Sequence, residues 1–191
     1  MGMVPGDWDV FLPQIYKGFT HLEGKNVLEL GNQTNQFYEP AAPRMVWRSL
    51  GFNHTMVDIN GEDGAEILDL REPDQWVKWH NYFDVITNCG VTEHVEPNSV
   101  QYTAWKVIHD CLKPGGFICN AIPHKMGINM HRWANHCTVY YDEEFFDKLC
   151  EASGYVKLDH QIVREHSVCI LYKQSNEFPS EEQFMEWPTF R

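Results

Sequence analysis

The chain is predicted to fold as an α/β domain built on a seven-stranded, mostly parallel sheet, with one antiparallel strand and helices on both faces. Three observations predict it. Short apolar runs alternate with stretches of helical periodicity through residue 122, the signature of strand–helix–strand units that assemble a parallel sheet. Two further apolar runs, at 155–163 and 167–173, follow each other too closely for a helical crossover. They read as an antiparallel pair that sets one antiparallel strand into the sheet. Finally, 191 residues with 43% hydrophobic and 14% aromatic side chains suffice for one packed core.

The elements follow in order. Residues 1–25 carry Trp8, Phe11, Ile15 and Phe19 near helical spacing, which predicts an amphipathic helix covering the sheet edge. "NVLEL" at 26–30 is the first strand. A helix starts near Pro43, where a missing N–H costs nothing, and stops at Gly51. "HTMVDI" (54–59) and "AEILDL" (65–70) are the second and third strands, "DQWVKWH" is one or two helical turns, and "FDVITN" (83–88) is the fourth strand. Within 99–112, Val100, Ala104, Val107, Ile108, Cys111 and Leu112 share one helical face. "KPGG" reads as a turn before the fifth strand, "FICNAI" (117–122). After a long loop, "DEEFFDKLCEASG" is a helix with an acidic first turn and Gly154 beyond its end. In the tail, Ser180 is the expected N-cap and Gln183 its partner in a capping box. The expected organisation is one domain over 1–191: an N-terminal helical cover (1–25), a ligand-binding half (26–122), a loop (123–141), a closing helix and hairpin (142–173) and a tail (174–191).

Charge and composition exclude several classes. Fifteen Lys and Arg against 27 Asp and Glu leave a net charge of −12, a field that repels polyanions and disfavours nucleic acid. No 18-residue apolar run predicts a membrane span, so no membrane association is expected. The first residues lack the basic and apolar regions of a signal peptide, and a cytoplasmic location is expected. Six scattered cysteines without a C-x-x-C pair suit free thiols in a reducing compartment.

Polar residues then recur near the ends of successive strands, where open parallel sheets form their ligand crevice. Glu29 lies inside the first strand, two residues before Gly31. Asp58 lies near the end of the second, Asp69 near the end of the third, and Asn88 closes the fourth. An acid at the end of the second strand is placed to accept hydrogen bonds from ribose hydroxyls. Each alone is also what a strand-terminating turn would use.

The order "VLELG", "MVDIN", "AEILDL", "FDVITNCGVTEHV", "CLKPGGFICNAIP", "YYDEEFFDKLCEASGY" resembles that of the class I S-adenosylmethionine-dependent methyltransferases over roughly residues 25–173. Its most specific parts are "EHV" at Glu93–Val95 and "LKPGG" at Leu112–Gly116. The resemblance implies a Rossmann-like fold, S-adenosyl-L-methionine as cofactor and methyl transfer as activity. By the same resemblance Glu29 binds the methionine amine, Asp58 the ribose, and Asp69 the region of the adenine amine. Gly31, Asn32, Gln33, Ile59, Leu70, Asn88 and Cys89 complete the expected cofactor set. The alternative is a catalytically silent methyltransferase-like module that acts with a partner protein.

The first loop departs from that family's glycine-rich pattern. Gly31 keeps the first glycine, while Gln33 and Asn35 stand where later ones usually are. Asn32 or Asn35 can hold a left-handed turn, and the Gln33 amide is a candidate donor to the cofactor carboxylate. S-adenosylmethionine has no pyrophosphate, so the demand for a phosphate cradle is absent. A nicotinamide dinucleotide needs G-x-G-x-x-G between strand and helix. This sequence lacks that motif, and Pro40 and Pro43 delay the helix.

The 123–141 segment is read as an acceptor lid. It holds His124, His131, His136, Cys137, Trp133, Tyr140 and Tyr141. The H-x₆-H-x₄-H spacing fixes no metal geometry, and no metal is expected. Histidines titrating near neutrality can take a proton from a hydroxyl or amine, so His124, His136, Tyr140 and His94 of "TEHV" are the candidate catalytic residues. The plainer alternative has Trp133 and Tyr140 packing the core, the histidines solvated and His94 capping a turn. A sulfonium donor is already activated, so the protein mainly aligns the reactants. The D/N-P-P-Y/F motif of amino-group methylation on DNA bases is replaced by "NCGV". The expected acceptor is a small molecule bearing a hydroxyl or amine, and a homo-oligomer is compatible with all of this.

Overall fold

The computed structural model describes residues 3–33, 43–124, 136–137 and 139–190. Helix α1 (Pro5–Gly18) leads into β1 (Asn26–Leu30), α2 (Pro43–Ser49), β2 (Asn53–Asp58) and β3 (Glu66–Ile67). A 3₁₀ segment (Pro73–Trp79) precedes β4 (Phe83–Asn88), α3 (Gln101–Cys111) and β5 (Leu112–Pro123). Helix α4 (Glu143–Ala152), the hairpin β6 (Tyr155–Val163) and β7 (His166–Lys173), and the short α5 (Glu181–Met185) close the chain. The seven strands lie in the order β3-β2-β1-β4-β5-β7-β6. Strands β1 to β5 pair in parallel, and β7 runs antiparallel to both of its neighbours. The predicted sheet, with its single antiparallel strand, is the one observed.

Strand alternation divides the core between the two faces. Leu28, Leu30, Ile86 and Ile118 point to one side, packing with Trp105 and Ile108 of α3, Phe145 and Phe146 of α4, and Phe184 of α5. Val27, Val85, Phe117 and Cys119 point to the other, packing with Trp8, Phe11 and Ile15 of α1 and Trp47 of α2. Helix α1, expected over the sheet edge, lies on the face of β5–β7: a side chain at Gly18 would strike the Phe117 ring, and one at Gly6 would strike Val163. The six cysteines are free thiols, four of them buried. Among the described residues no helix is long and apolar enough to cross a membrane.

Three elements differ from expectation. "KPGG" is a bulge inside β5 rather than a turn before it: Phe83 pairs with Leu112, and the next β4 partner, Val85, pairs with Phe117. Asp84, opposite the bulge, accepts from the Asn26 N–H at 2.9 Å and from the Lys113 Nζ at 3.0 Å, which ties the bulge to both strands. Strand β3 keeps two residues of the six expected. Gln75 Oε1 accepts from the Asp69 N–H at 3.0 Å and Trp76 Nε1 donates to the Asp69 carbonyl at 2.8 Å, so side chains take the backbone groups a sheet ladder would use. The "DQWVKWH" turns are 3₁₀ up to Trp79, and His80 caps their end. The helix ends follow their caps: Asp142 accepts from the Phe145 N–H and Ser180 from the Gln183 N–H, both at 3.2 Å.

Candidate functional site

In a parallel sheet the C-terminal ends of neighbouring strands meet at one edge, and the crevice opens where chain order reverses. Here that point lies between β1 and β4. A cavity of about 450 Å³ occupies it, within the range of roughly 300–1,000 Å³ typical of small-molecule sites.

The loop after β1 forms one wall. Gly31 adopts φ +78°, and an added Cβ would sit 2.6 Å from Gln33 Nε2 and 2.8 Å from Val91 Cγ2. The left-handed dihedral favours glycine there, and an added Cβ would also displace the Gln33 amide. Two acids hold the loop from below. The Asn32 N–H donates to Asp58 Oδ2 at 2.7 Å, and the Gln33 N–H donates to Glu29 Oε1 at 3.2 Å. Glu29 is buried and lies behind the cavity wall; its other oxygen meets His54 Nε2 at 2.8 Å. Asp58 lines the cavity, accepts from the Asn60 N–H at 3.0 Å, and keeps a second lone pair on each oxygen. Ile59 beside it is 68% exposed although apolar.

The far wall combines Leu68, Asp69, Leu70, Arg71 and the fully buried Trp76. Arg71 grips Asp69 with two nitrogens, Nη2 at 2.6 Å and Nε at 3.0 Å from Oδ2, and this bidentate contact holds the carboxyl below the usual range. The segment after β4 closes the site with Gly90, Val91, His94, Val95 and Glu96. Asn88 anchors this segment from a buried position: its Nδ2 donates to Thr92 Oγ1 at 2.8 Å and to Asn120 Oδ1 at 3.1 Å, and its Oδ1 accepts from the Thr92 N–H. Gln101 Nε2 fastens the same turn through the carbonyls of Thr92 and Val95, and Tyr141 in turn donates its hydroxyl hydrogen to Gln101 Oε1. Cys89 points into the core on the other face.

His94 packs edge-on against His136, ring centroids 4.7 Å apart. Burial, then the neighbouring His136, lowers the His94 pKa, and burial lowers that of His136. Beneath them Glu93 is fully buried, and among the described residues neither carboxylate oxygen has a hydrogen-bond partner. Burial pushes its pKa up to about 8.

Eight sequence-predicted residues therefore line one cavity: Gly31, Asn32, Gln33, Asp58, Ile59, Asp69, Leu70 and His94. Glu29, Asn88 and Cys89 lie behind its walls, and His136 reaches it through His94. Tyr140 hydrogen-bonds Cys137, and burial raises the tyrosine pKa. His124 lies at the end of β5, its N–H donating to the Glu165 carbonyl at the hairpin turn at 2.9 Å; it is not on the cavity wall. Asn35, His131 and Trp133 fall outside the described residues. Sequence reasoning passed over His54, Arg71, Trp76 and Glu93. Arg71, two residues beyond Asp69, and Glu93, inside the quoted "EHV", carried a local signal, whereas His54 needed the β1–β2 register. Among the described residues no group of three or more His, Cys, Asp and Glu could hold a metal ion.

No protein-family model and no curated protein matches the chain. Solved structures do. The Burkholderia thailandensis 1,6-didemethyltoxoflavin-N1-methyltransferase, with 1,6-didemethyltoxoflavin and S-adenosylhomocysteine bound, matches with a TM-score of 0.64 at 14% identity, over 90% of this chain and 78% of that one. The [4+2]-cyclase SpnF matches with a TM-score of 0.61 at 14% identity, over 87% and 80%. A putative methyltransferase in complex with the Haloferax volcanii Trm112 methyltransferase activator matches with a TM-score of 0.58 at 13% identity, over 89% and 93%. The chain has the class I methyltransferase fold.

Proposed function

We propose that this chain is an S-adenosylmethionine-dependent methyltransferase acting on the hydroxyl or amine of a small molecule. The observation that carries the reading is the convergence of Gly31, Asp58 and Asp69, from three successive strands, on one cavity at the reversal point of the sheet. The residues present suit the cofactor. Asp58 has lone pairs for ribose hydroxyls, and Ile59, Leu68, Leu70 and Trp76 offer apolar walls to a purine. Asp69, oriented by Arg71, can accept from the purine amine. An exposed Ile59 on a cavity wall is apolar surface that a bound ring would cover.

S-adenosylmethionine supplies an activated methyl group on a sulfonium. The chain's own residues bind it, exclude water with Val91 and Val95, and present His94 at the cavity edge. With its pKa lowered, His94 is neutral at pH 7 and able to take a proton from an acceptor. His136 packs against the ring and limits its orientations. The net charge of −12 favours a small acceptor over a nucleic acid. The neighbour with 1,6-didemethyltoxoflavin bound is in keeping with that class.

A second reading has one observation in its favour. The Gln33 amide fills the space beside Gly31 where the sequence departs from a glycine-rich loop, as a catalytically silent module working with a partner would tolerate. Among the structural neighbours, one is a [4+2]-cyclase and another is a putative methyltransferase in complex with an activator protein, so activities other than methyl transfer and a partner protein both occur on this fold. Thermal melts decide between them. S-adenosylhomocysteine at about 100 times its Kd should stabilise the fold by about 2.7 kcal/mol, a rise of roughly 5–10 °C for a domain of this size. NAD should leave the melting temperature unchanged, and Asp58→Ala should blunt the shift. No shift at millimolar ligand removes the methyltransferase reading. A shift without transfer of labelled methyl to any extract fraction supports the silent module.

A further inference from the structure

We infer that the side-chain carbonyl of Gln33 is the acceptor that receives the α-ammonium of the cofactor, a task that Glu29 has left. The assignment rests on the cofactor reading above and concerns which residue of this chain meets the methionine end.

Gln33 is 5% exposed and lines the cavity. Its amide orientation is fixed by chemistry. Nε2 donates to the Leu30 carbonyl at 3.3 Å, and exchanging the amide N and O would set one carbonyl against another. Oε1 is therefore the free end, and among the described residues it has no hydrogen-bond partner. A buried acceptor in that state calls for a donor. The residue expected to meet a cation, Glu29, is committed elsewhere: one oxygen accepts from the Gln33 N–H, the other meets His54, and neither faces the cavity. Gly31 completes the arrangement. Its missing Cβ leaves the space in which the Gln33 amide sits, so the glutamine is built into the wall rather than appended to it.

The cofactor offers few donors. Its carboxylate and sulfonium have none, its ribose hydroxyls have Asp58 as a charged acceptor, and its purine amine has Asp69. The ammonium, with three N–H groups, is the donor left for Oε1, and a charged donor gives the stronger class of hydrogen bond. The departure from a glycine-rich loop thus substitutes a side-chain carbonyl for an acid that has turned to hold the loop.

Calorimetric titration of the full chain tests this with two ligands: S-adenosylhomocysteine and its analogue lacking only the α-amino group. The wild-type chain should prefer the amino compound by about 10–100-fold. Gln33→Met keeps the length and removes the acceptor. It should weaken S-adenosylhomocysteine by about tenfold or more and leave the deamino analogue within about twofold. Gln33→Glu restores an acceptor but sets its second oxygen against the Leu30 carbonyl, so it should lower the melting temperature and still restore the preference for the amino compound over the deamino analogue. Equal wild-type affinities overturn the assignment, as does an equal loss of both ligands in Gln33→Met. Tighter S-adenosylhomocysteine binding by Gln33→Gly also overturns it, because the amide would then be an obstruction. Failure of the wild-type chain to bind either ligand overturns the cofactor reading itself, and the assignment with it.

Discussion

Replacing Glu93 by glutamine should stabilise the protein, and increasingly so as the pH rises. Glu93 lies in the 3₁₀ turn Thr92–His94, with its side chain fully buried; among the described residues neither oxygen has a hydrogen bond, and His94 Nε2 lies 3.9 Å from Oε1. An ordinary glutamate titrates at 4.5, and burial pushes this one up to about 8. Between those values the folded state holds a proton that the unfolded chain has released. The stability Glu93 contributes is therefore complete below about pH 4.5 and is lost as the pH rises through 8. The gap between 4.5 and about 8, at about 1.4 kcal/mol per pH unit, amounts to roughly 5 kcal/mol. Relaxation and water entry reduce such costs, so an advantage of about 2–5 kcal/mol is expected for Glu93→Gln at pH 8.5. For a domain of this size that is roughly 5–20 °C in melting temperature. At pH 5 the protonated acid and the amide are close equivalents, and the two melts should nearly coincide. Thermal melts of both proteins from pH 5 to 8.5 supply the measurement. Parallel curves across that range, or a less stable variant at pH 8.5, would refute the reasoning.

Two further expectations follow from the site. His54→Ala removes the hydrogen-bond partner of the buried Glu29 oxygen and should cost about 1–3 kcal/mol in urea unfolding. His54→Asn should recover part of the loss, and a silent His54→Ala would mean that the Glu29 contact does not hold the loop. If His94 accepts the acceptor's proton, kcat/KM should rise through an apparent pKa below 6.5 and stay level above pH 7, since the free imidazole's pKa is lowered. His94→Ala should abolish that limb of the pH profile, and an unchanged profile would leave catalysis to alignment alone.

The strands and most helices were legible because each carries its own periodicity. "NVLEL" and "FDVITN" are bounded by turn residues and occupy the predicted positions, and the Ser180 cap is a local signal whose partner lies three residues away. "KPGG" was misread for the same reason. Its glycines announce a turn, but only the pairing of β4 with both sides of the segment shows that the chain continues as one bulged strand. Strand β3 was overestimated because Gln75 and Trp76, several residues downstream, take the backbone groups of Asp69.

The candidate site divides along the same line. Residues at strand ends could be named from the sequence, because in a parallel sheet their position along the strand already places them at the crevice edge: Gly31, Asp58, Asp69 and His94 all line the cavity. The direction in which each side chain turns depended on neighbours remote in sequence. Glu29 faces His54 because β1 pairs with β2 in a register that sets Val27 beside His54 and Glu29 beside Met56, making the two polar residues diagonal neighbours on one face. His94 meets His136 across 41 intervening residues, and His124 lies by the hairpin turn because β5 pairs with β7 up to Pro123. Periodicity and turn chemistry are properties of a few consecutive residues and survive in the sequence. Which donor meets which acceptor is decided only when separate strands come within about 3 Å of one another, where the orientation of a single side chain settles whether its polar atoms face a ligand or a neighbour.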